Sequence, residues 1–549
     1  MREERMPTYS GNIIDLIAGT IYPGTVLVRD GRIVNISRET TLYSRYIMPG
    51  FVDAHIHVES SMLPPSEFAR ACVVHGTVAV VSDPHEIANV LGLEGVHFML
   101  NSAAKVPVKF YFSAPSCVPA TAFETSGAQL DASQLEVLLQ MDQIKYLGEM
   151  MNYPGVIFGT ADVMEKLALA RKYQKPIDGH SPGLSGTDLK KYVAAGISTD
   201  HECFTTTEAL EKISLGMKIL IREGSAARNL EELLPVAREY PEQCMFCSDD
   251  KHPDDLKKGH INLMVKRALN AGMDLLTVLK MATLNPVKHY GLDVGLLQVG
   301  EAADFLLVED LETLEITETI IDGVTVARKG MPTIAKISEK LPNQFNTAEK
   351  ILEAFAVAVP ANSKIRVIEV KDGQLYTQAS VASPLVSKGN AIADPARDIL
   401  KLAVVNRYQD NPPAVGFVKN FGLKSGAIAS SVAHDSHNIV AVGVNDTDLC
   451  DAVNLVIRSS GGIALADRQY GLEEVLPLPI AGLMSDLPFD ETAARYTKLD
   501  QLAKSLGTPL RSPFMTLSFM ALLVIPELKL SDRGLFDAVN FKYVDLVLS

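Results

Sequence analysis

Between residues 10 and 47 short apolar runs alternate with turn residues. The stretch NIIDLIAGTIYPGTVLVRDGRIVNI carries Tyr22-Pro23-Gly24 and Asp30-Gly31, a pattern of strands joined by tight turns. The same texture returns at Gly300–Val308 and Ile320–Arg328, with Asp322-Gly323 as the turn. These two β segments flank a long middle region and are placed to pair in one small sheet.

The middle region repeats a strand-then-helix rhythm. Apolar runs of strand length fall at Ile47–Ala54, Thr77–Ser82, Val108–Phe112, Tyr146–Gly148, Pro176–Asp178, Ile197–Thr199, Lys218–Ile221 and Met245–Ser248. Helical stretches such as Ala161–Tyr173 and Ser225–Glu239 lie between them. Eight strands alternating with helices over about 240 residues has the size of a (β/α)8 barrel of TIM type in the α/β class. After Gly330 the pattern changes. Lys364–Val370, Ala414–Lys419, Ala427–Val432 and Ile439–Gly443 are β-like, and helices are expected at Thr347–Ala358 and Asp394–Val405. The predicted division is a small β-sandwich domain from 1–47 plus 290–332, a catalytic barrel over 48–289, and a C-terminal mixed α/β domain over 333–549.

Composition narrows the partners. The 549 residues are 47% hydrophobic and 21% charged, enough for about three domains with large cores. A formal charge of −15 argues against a nucleic-acid backbone or an anionic membrane as the main partner. Six cysteines in so long a chain do not form a disulfide framework. The opening MREERMPTYS lacks an apolar leader core, so a cytoplasmic location is expected. The apolar stretch Pro513–Ile525 is too short for a bilayer span of about 20 residues, and apolar runs in the C-terminal domain point to a homo-oligomer.

Barrel enzymes carry their chemistry at the C-terminal ends of the strands. Just past the successive runs stand His55 and His57, then Asp83, His85 and Glu86, then Glu149, His180, His201, and finally Asp249 and Asp250. His55 and His57 share one face of their strand because side chains alternate with period two. An isolated H-x-H is a weak signal, and a lone His180 or His201 would read as a core histidine. Together they gather imidazoles and carboxylates at one rim, a donor set suited to Zn, Mn or Fe(II).

MPGFVDAHIHVESSM (Met48–Met62) resembles the opening motif of the amidohydrolase superfamily of metal-dependent barrels. SDPHEIANVLG (82–92), GEMMNYPGV (148–156), DGHSPGLSG (178–186), STDHE (198–202) and SDDKHPDDL (248–256) are similar, more narrowly, to its adenine deaminase family. So are AHDSHNIVAVGVN (433–445) and PFMTLSFMALLVIPELKL (513–530), which extends the resemblance over almost the whole chain. A small departure is Ser181, where the family pattern has alanine. The resemblance implies hydrolysis of adenine and water to hypoxanthine and ammonia, a step of purine catabolism. It implies two divalent metal ions, manganese or iron ahead of zinc. His55, His57 and Asp249 would hold the first and His180 and His201 the second. Glu149 would bridge them where many superfamily members carry a carboxylated lysine. A hydroxide made at the metals would attack C6 of the purine, Asp249 would serve as general acid/base, and Glu86 and Asp83 would have catalytic roles in protonating and holding the ring.

The remaining polar residues have plainer readings beside functional ones. Asp250 either contacts substrate or solvates its loop. His85 and His252 fall outside the implied ligand set. Cys244-x-x-Cys247 lacks a partner pair for zinc and fits packing within a strand. His434-Asp435-Ser436-His437 either closes over the ligand or forms a turn. Two other functions stand as alternatives: a cyclic-amide hydrolase of the dihydroorotase or hydantoinase kind, which the missing bridging lysine disfavours, and a metal-free scaffold barrel.

Overall fold

The structure is a computed structural model that describes residues 7–548; the charged opening segment, residues 1–6, lies outside the described residues. Strands β1 (Thr8–Asp15), β2 (Thr20–Arg29), β3 (Arg32–Arg38) and β4 (Tyr46–Pro49) open a sheet that is finished far downstream. The barrel strands follow: β5 (Phe51–Ile56), β6 (Thr77–Ser82), β7 (Lys109–Ala114), β8 (Ile144–Met150), β9 (Ile177–Gly179), β10 (Thr199–Asp200), β11 (Lys218–Arg222) and β12 (Cys244–Cys247). Then β13 (Phe305–Val308), β14 (Ile316–Ile321), β15 (Val324–Arg328) and β16 (Met331–Pro332) return to the first sheet, whose order is β16-β15-β14-β13-β4-β1-β2-β3. The run 47–54, expected as one strand, is two. Gly50 separates them, and a Cβ there would lie 2.3 Å from Val78 Cγ1, so only glycine lets the chain pass from the flanking sheet into the barrel so close to β6.

The barrel is parallel throughout. Strands β5 to β9 pair in order, as do β10 to β12. Ser198 N donates to Ile177 O at 2.9 Å across the join between β9 and β10. The other join, between β12 and β5, is a parallel bridge of Ile56 with Asp249, with Asp249 N donating to His55 O at 2.9 Å and His57 N to Asp249 O at 3.3 Å. Asp53 fastens this seam. One of its oxygens accepts from Ser248 N at 3.0 Å and the other from Ser248 Oγ at 2.5 Å. The first helical stretch matches its expectation closely, as Ala161–Lys172. The second begins only at Leu230, because residues 224–228 turn back on themselves (Gly224 N to Ala227 O, 3.0 Å) and Ser225 N bonds Asp250 O at 2.8 Å.

The C-terminal region is built on a nine-stranded mixed sheet running 378–382, 364–369, 414–419, 399–405, 439–443, 427–430, 462–467 and 472–477, with 547–548 added beside 364–369. Two expected helices are absent. Ile399–Val405 is a strand buried along its whole length and paired on both edges. ILKLAVV is thus a doubly covered strand whose apolar run imitates a helix face. Residues 347–358 hold only a short turn and the strand Val357–Ala358. At Lys350 the backbone bonds are made by a neighbouring side chain, Asn454, which bonds both Lys350 N and Lys350 O. Helix Asp446–Arg458 covers one face of the sheet, and helix Phe489–Ser505 with Pro513–Ser518 packs on the other, sharing a continuous apolar core with the barrel. This places the C-terminal region over the barrel mouth, where Ser485 N donates to Met62 O at 2.8 Å and Phe489 N to Glu67 Oε2 at 3.1 Å. Among the described residues no helix is long and apolar enough to cross a membrane.

If Asp53 holds the seam shut, Ser248→Ala removes a hydrogen bond to a buried carboxylate and should cost about 1.5–3 kcal/mol in urea unfolding. A loss within about 0.5 kcal/mol, the range of ordinary surface changes, would show that the seam does not depend on it.

Candidate active site

At the barrel mouth β5 turns His55 and His57 inward, and the seam sets Asp249 against them. Asp249 has φ of 51°, a left-handed conformation that aspartate tolerates better than most residues. Its Oδ1 lies 3.5 Å from His55 Nε2 and 3.2 Å from His57 Nε2, and those two ring nitrogens are 3.2 Å apart. Glu149 projects from β8 between two sets of histidines. Its Oε1 lies 3.3 Å from His57 Nε2, while Oε2 is 2.8 Å from His180 Nδ1 and 3.0 Å from His201 Nε2. The imidazoles of His55 and His201 stack with centroids 4.2 Å apart. All six residues are buried.

Positive charge is wanted at this point. Burial would raise the Glu149 carboxyl, but His180 and His201 outweigh it and hold it well below the usual range. Asp249 is likewise held low, against its burial, first by Arg222 and then by His55 and His57. Burial lowers His57, and Asp249 and Glu149 reverse this and hold it well above the ordinary imidazole value. His55, with burial and then His201 acting on it, is lowered. Groups such as His55–His57–Asp249 and His55–Glu149–His201 present donor atoms within 4.8 Å of one another. His55 Nδ1 and His180 Nε2 are buried without a hydrogen-bond partner. Converging nitrogen and carboxylate donors of this kind fit divalent cations.

Support comes from below. Asp83 does not face the cavity. Its Oδ1 accepts from Ser113 Oγ at 2.7 Å and its Oδ2 from Glu149 N at 2.9 Å, with His85 Nδ1 3.8 Å away. Gly148 permits this approach, since a Cβ there would stand 2.2 Å from Asp83 Oδ2. Under β10, Asp200 takes Lys212 Nζ at 2.9 Å and Ser181 N at 2.8 Å, steadying the segments that carry His180 and His201. Ser181 Oγ also donates to Asp200 Oδ1 at 3.1 Å, a bond that alanine at this position would not make.

The other candidates are distributed around this centre. His85 stands 3.5 Å from Glu149 Oε1 and 3.8 Å from Asp435 Oδ1. Asp250 lines the cavity, and Ser60 Oγ bonds both Asp250 Oδ1 (2.6 Å) and Glu86 Oε1 (2.8 Å). Glu86 is held well above the carboxylate range by burial, then by Asp250 and Glu59. His252 is turned away and bonds Tyr496 OH at 2.5 Å. Cys244 and Cys247 are buried, unpaired thiols on β12. His434 and Asp435 line the cavity, with Leu375, Phe519 and Leu522 completing a roof from the C-terminal region; the Phe519 and His434 rings stack at 4.6 Å.

Two buried residues escaped the sequence reading. Arg222, at the end of β11, donates through Nη2 to Glu202 Oε2 at 3.1 Å, through Nη1 to Glu202 Oε1, and through Nη1 to Asp249 Oδ2 at 2.8 Å. Glu202 lies 3.6 Å from His201 Nε2 and 3.7 Å from His180 Nδ1. Both stand at or just past strand ends, the positions the barrel rule singles out, so the signal was present for each.

Residues 46–326 match the amidohydrolase family and residues 374–542 the adenine deaminase C-terminal domain. The adenine deaminase of Salinibacter ruber is 54% identical over 538 residues, covering 98% of both chains. That of a Sulfurovum species is 55% identical over 536 residues, covering 97% of this chain and 98% of its own. The adenine deaminase of Methanosarcina mazei is 52% identical over 555 residues, covering 98% of this chain and 99% of its own. Fold, site and matched residues define a hydrolase of the amidohydrolase family. With likeness this close over nearly its whole length, the chain belongs within it to the adenine deaminases.

The Asp200–Lys212 pair gives a pH-dependent expectation. Burial would raise the Asp200 carboxyl, but Lys212 holds it below its ordinary value. Its contribution to stability is therefore complete above the unfolded value near 4 and is lost as pH falls through the lower folded value. Lys212→Met, leaving Asp200 buried and unpaired, should cost about 3–5 kcal/mol at pH 7. Urea melts should show the gap to wild type narrowing as pH is lowered from 7 toward 3; a gap independent of pH would remove the pair from this role.

Proposed function

We propose that the chain deaminates free adenine with two divalent metal ions, manganese or iron ahead of zinc, held by His55, His57 and Asp249 on one side and His180 and His201 on the other, with Glu149 between them. The observation that carries this reading is the split of the Glu149 carboxylate, one oxygen toward His57 and the other toward His180 and His201. When bound, the metals would lower the pKa of water and so supply a nucleophile at neutral pH.

The protein's own groups do the rest. Asp249 is fixed by Arg222 at Oδ2 and faces the histidines with Oδ1; it takes the proton of the attacking water and returns it to the departing ammonia. The Glu86 carboxyl is pushed well above its usual range by burial, then by Asp250 and Glu59, which favours its protonated form, and its Oε2 has no hydrogen-bond partner. It stands behind Asp250 and His434 as the reserve for protonating the purine ring. Asp83 acts through Glu149 and His85. Leu375, Phe519 and Leu522 provide an apolar cover for a flat aromatic base and keep bulk water from the reacting carbon. Six buried, unpaired cysteines support a cytoplasmic setting, and the exposed Val381, Leu385 and Val386 support a homo-oligomer.

Ammonia release from adenine, adenosine, guanine and cytosine by manganese-loaded protein tests the substrate; a preference for adenosine would overturn it. Glu149→Gln and Asp249→Asn should each lower turnover of adenine by about 1,000-fold or more, on the order of 4 kcal/mol, with circular dichroism unchanged. Metal analysis should find two ions per wild-type chain and fewer in Glu149→Gln. Near-wild-type turnover in either variant would overturn the mechanism.

A further inference from the structure

We propose that Lys529 is a positioning residue for the purine: its amine clamps together the two backbone segments that form the roof, and so sets where the aromatic cover meets the ring. This rests on the adenine reading above.

Lys529 is fully buried on the strand Leu528–Ser531. Its Nζ donates to Leu375 O at 2.8 Å and to Phe519 O at 2.9 Å, and among the described residues no carboxylate pairs with it. An amine buried without a counter-charge is costly where methionine or leucine would fill the same space more cheaply. Its two acceptors are what single it out. They are the main-chain carbonyls of two residues, about 140 positions apart in sequence, whose side chains both line the cavity. Burial lowers the ammonium to about 7, and a neutral amine still carries two N–H donors, one for each carbonyl. The Leu375 segment is also stitched to the strand that carries Lys529, where Thr377 Oγ1 donates to Leu528 O at 2.8 Å and Glu527 N to Thr377 O at 3.1 Å. Displacing Phe519 would also disturb His434, on which it stacks, and through it Glu86, 3.4 Å from His434 Nδ1. The roof and the polar side of the site therefore move together, and the amine sits at their common support.

Lys529→Met keeps the length of the side chain and removes both donors. Metal-loaded variant should show KM for adenine raised about tenfold with kcat within about threefold, the pattern of lost substrate binding. In a Phe519→Leu background the same change should add less than about twofold, because coupled residues are non-additive. An unchanged KM with only a lower melting temperature would assign Lys529 a purely structural role and overturn the proposal, as would independent effects in the double variant. Hydrogen exchange of the metal-free protein supplies a readout that needs no adenine. Amides near 375–377 and 519–523 should exchange faster in Lys529→Met while the barrel strands stay unchanged, and equal rates at the roof would count against the clamp. If wild type releases no ammonia from adenine, the substrate reading fails while this exchange result still judges the clamp. Should Lys529→Met not fold, Thr377→Val loosens the Leu375 segment from the strand that carries Lys529 and must reproduce the KM rise and the faster exchange at 375–377, or the proposal falls.

Discussion

The closing seam of the barrel is the constraint on which the site depends. Eight parallel strands form a closed surface only if the last meets the first, and here that meeting is made by backbone bonds between Asp249 and the His55–His57 segment. The register of closure therefore decides the chemistry. A slip of one residue would turn Asp249 to the other face of the strand and leave His55 and His57 without their carboxylate. Asp53 prevents this by holding Ser248 through two hydrogen bonds, one residue before Asp249, so the same few residues shut the barrel and assemble half of the donor set.

The second half obeys a different logic, that of charge balance in a buried space. Glu149, Asp249, Glu202 and Asp83 would repel one another if left alone at low dielectric. They coexist because imidazoles are interleaved among them and because Arg222 neutralises Glu202 and the outer oxygen of Asp249. This arrangement is self-consistent only with compensating positive charge at the centre, supplied by protons on the histidines or by cations. Glutamate at 149 suits that centre, since it brings a permanent charge with two oxygens and needs no covalent modification to reach both histidine sets.

What could be read from the sequence follows the range of the interactions. Period-two alternation through β5 and the residue after it put His55 and His57 on one face, and the barrel rule singled out Glu149, His180, His201 and Asp249 because each lies within a residue or two of a strand end. Arg222 satisfies the same rule, yet as the last residue of KILIR it looks like an ordinary charge leaving a strand; only its neighbours show that it points inward. Leu375, Phe519 and Leu522 were indistinguishable from core residues, because an apolar side chain carries no mark of whether it faces a cavity or another side chain. The error at 394–405 has the same origin. ILKLAVV is compatible with a buried strand or a helix, and pairing partners beyond its own sequence decide between them.

The division of labour between barrel and C-terminal region follows from these ranges. The barrel alone offers a rim of strand ends open to water, adequate for gathering charge but poor at holding a flat, weakly polar heterocycle. Purine recognition needs an apolar surface parallel to the ring and polar groups at its edge. The C-terminal region sets Phe519 stacked on His434, and His434 beside the barrel's Glu86, an arrangement that would supply both under the proposed function. Because the roof shares its apolar core with the barrel beneath it, its position is tied to the packing of the whole molecule. Under the proposed function, ring and nucleophile would then be placed from one shared core, the condition under which a catalytic group held near its target gains most from orientation.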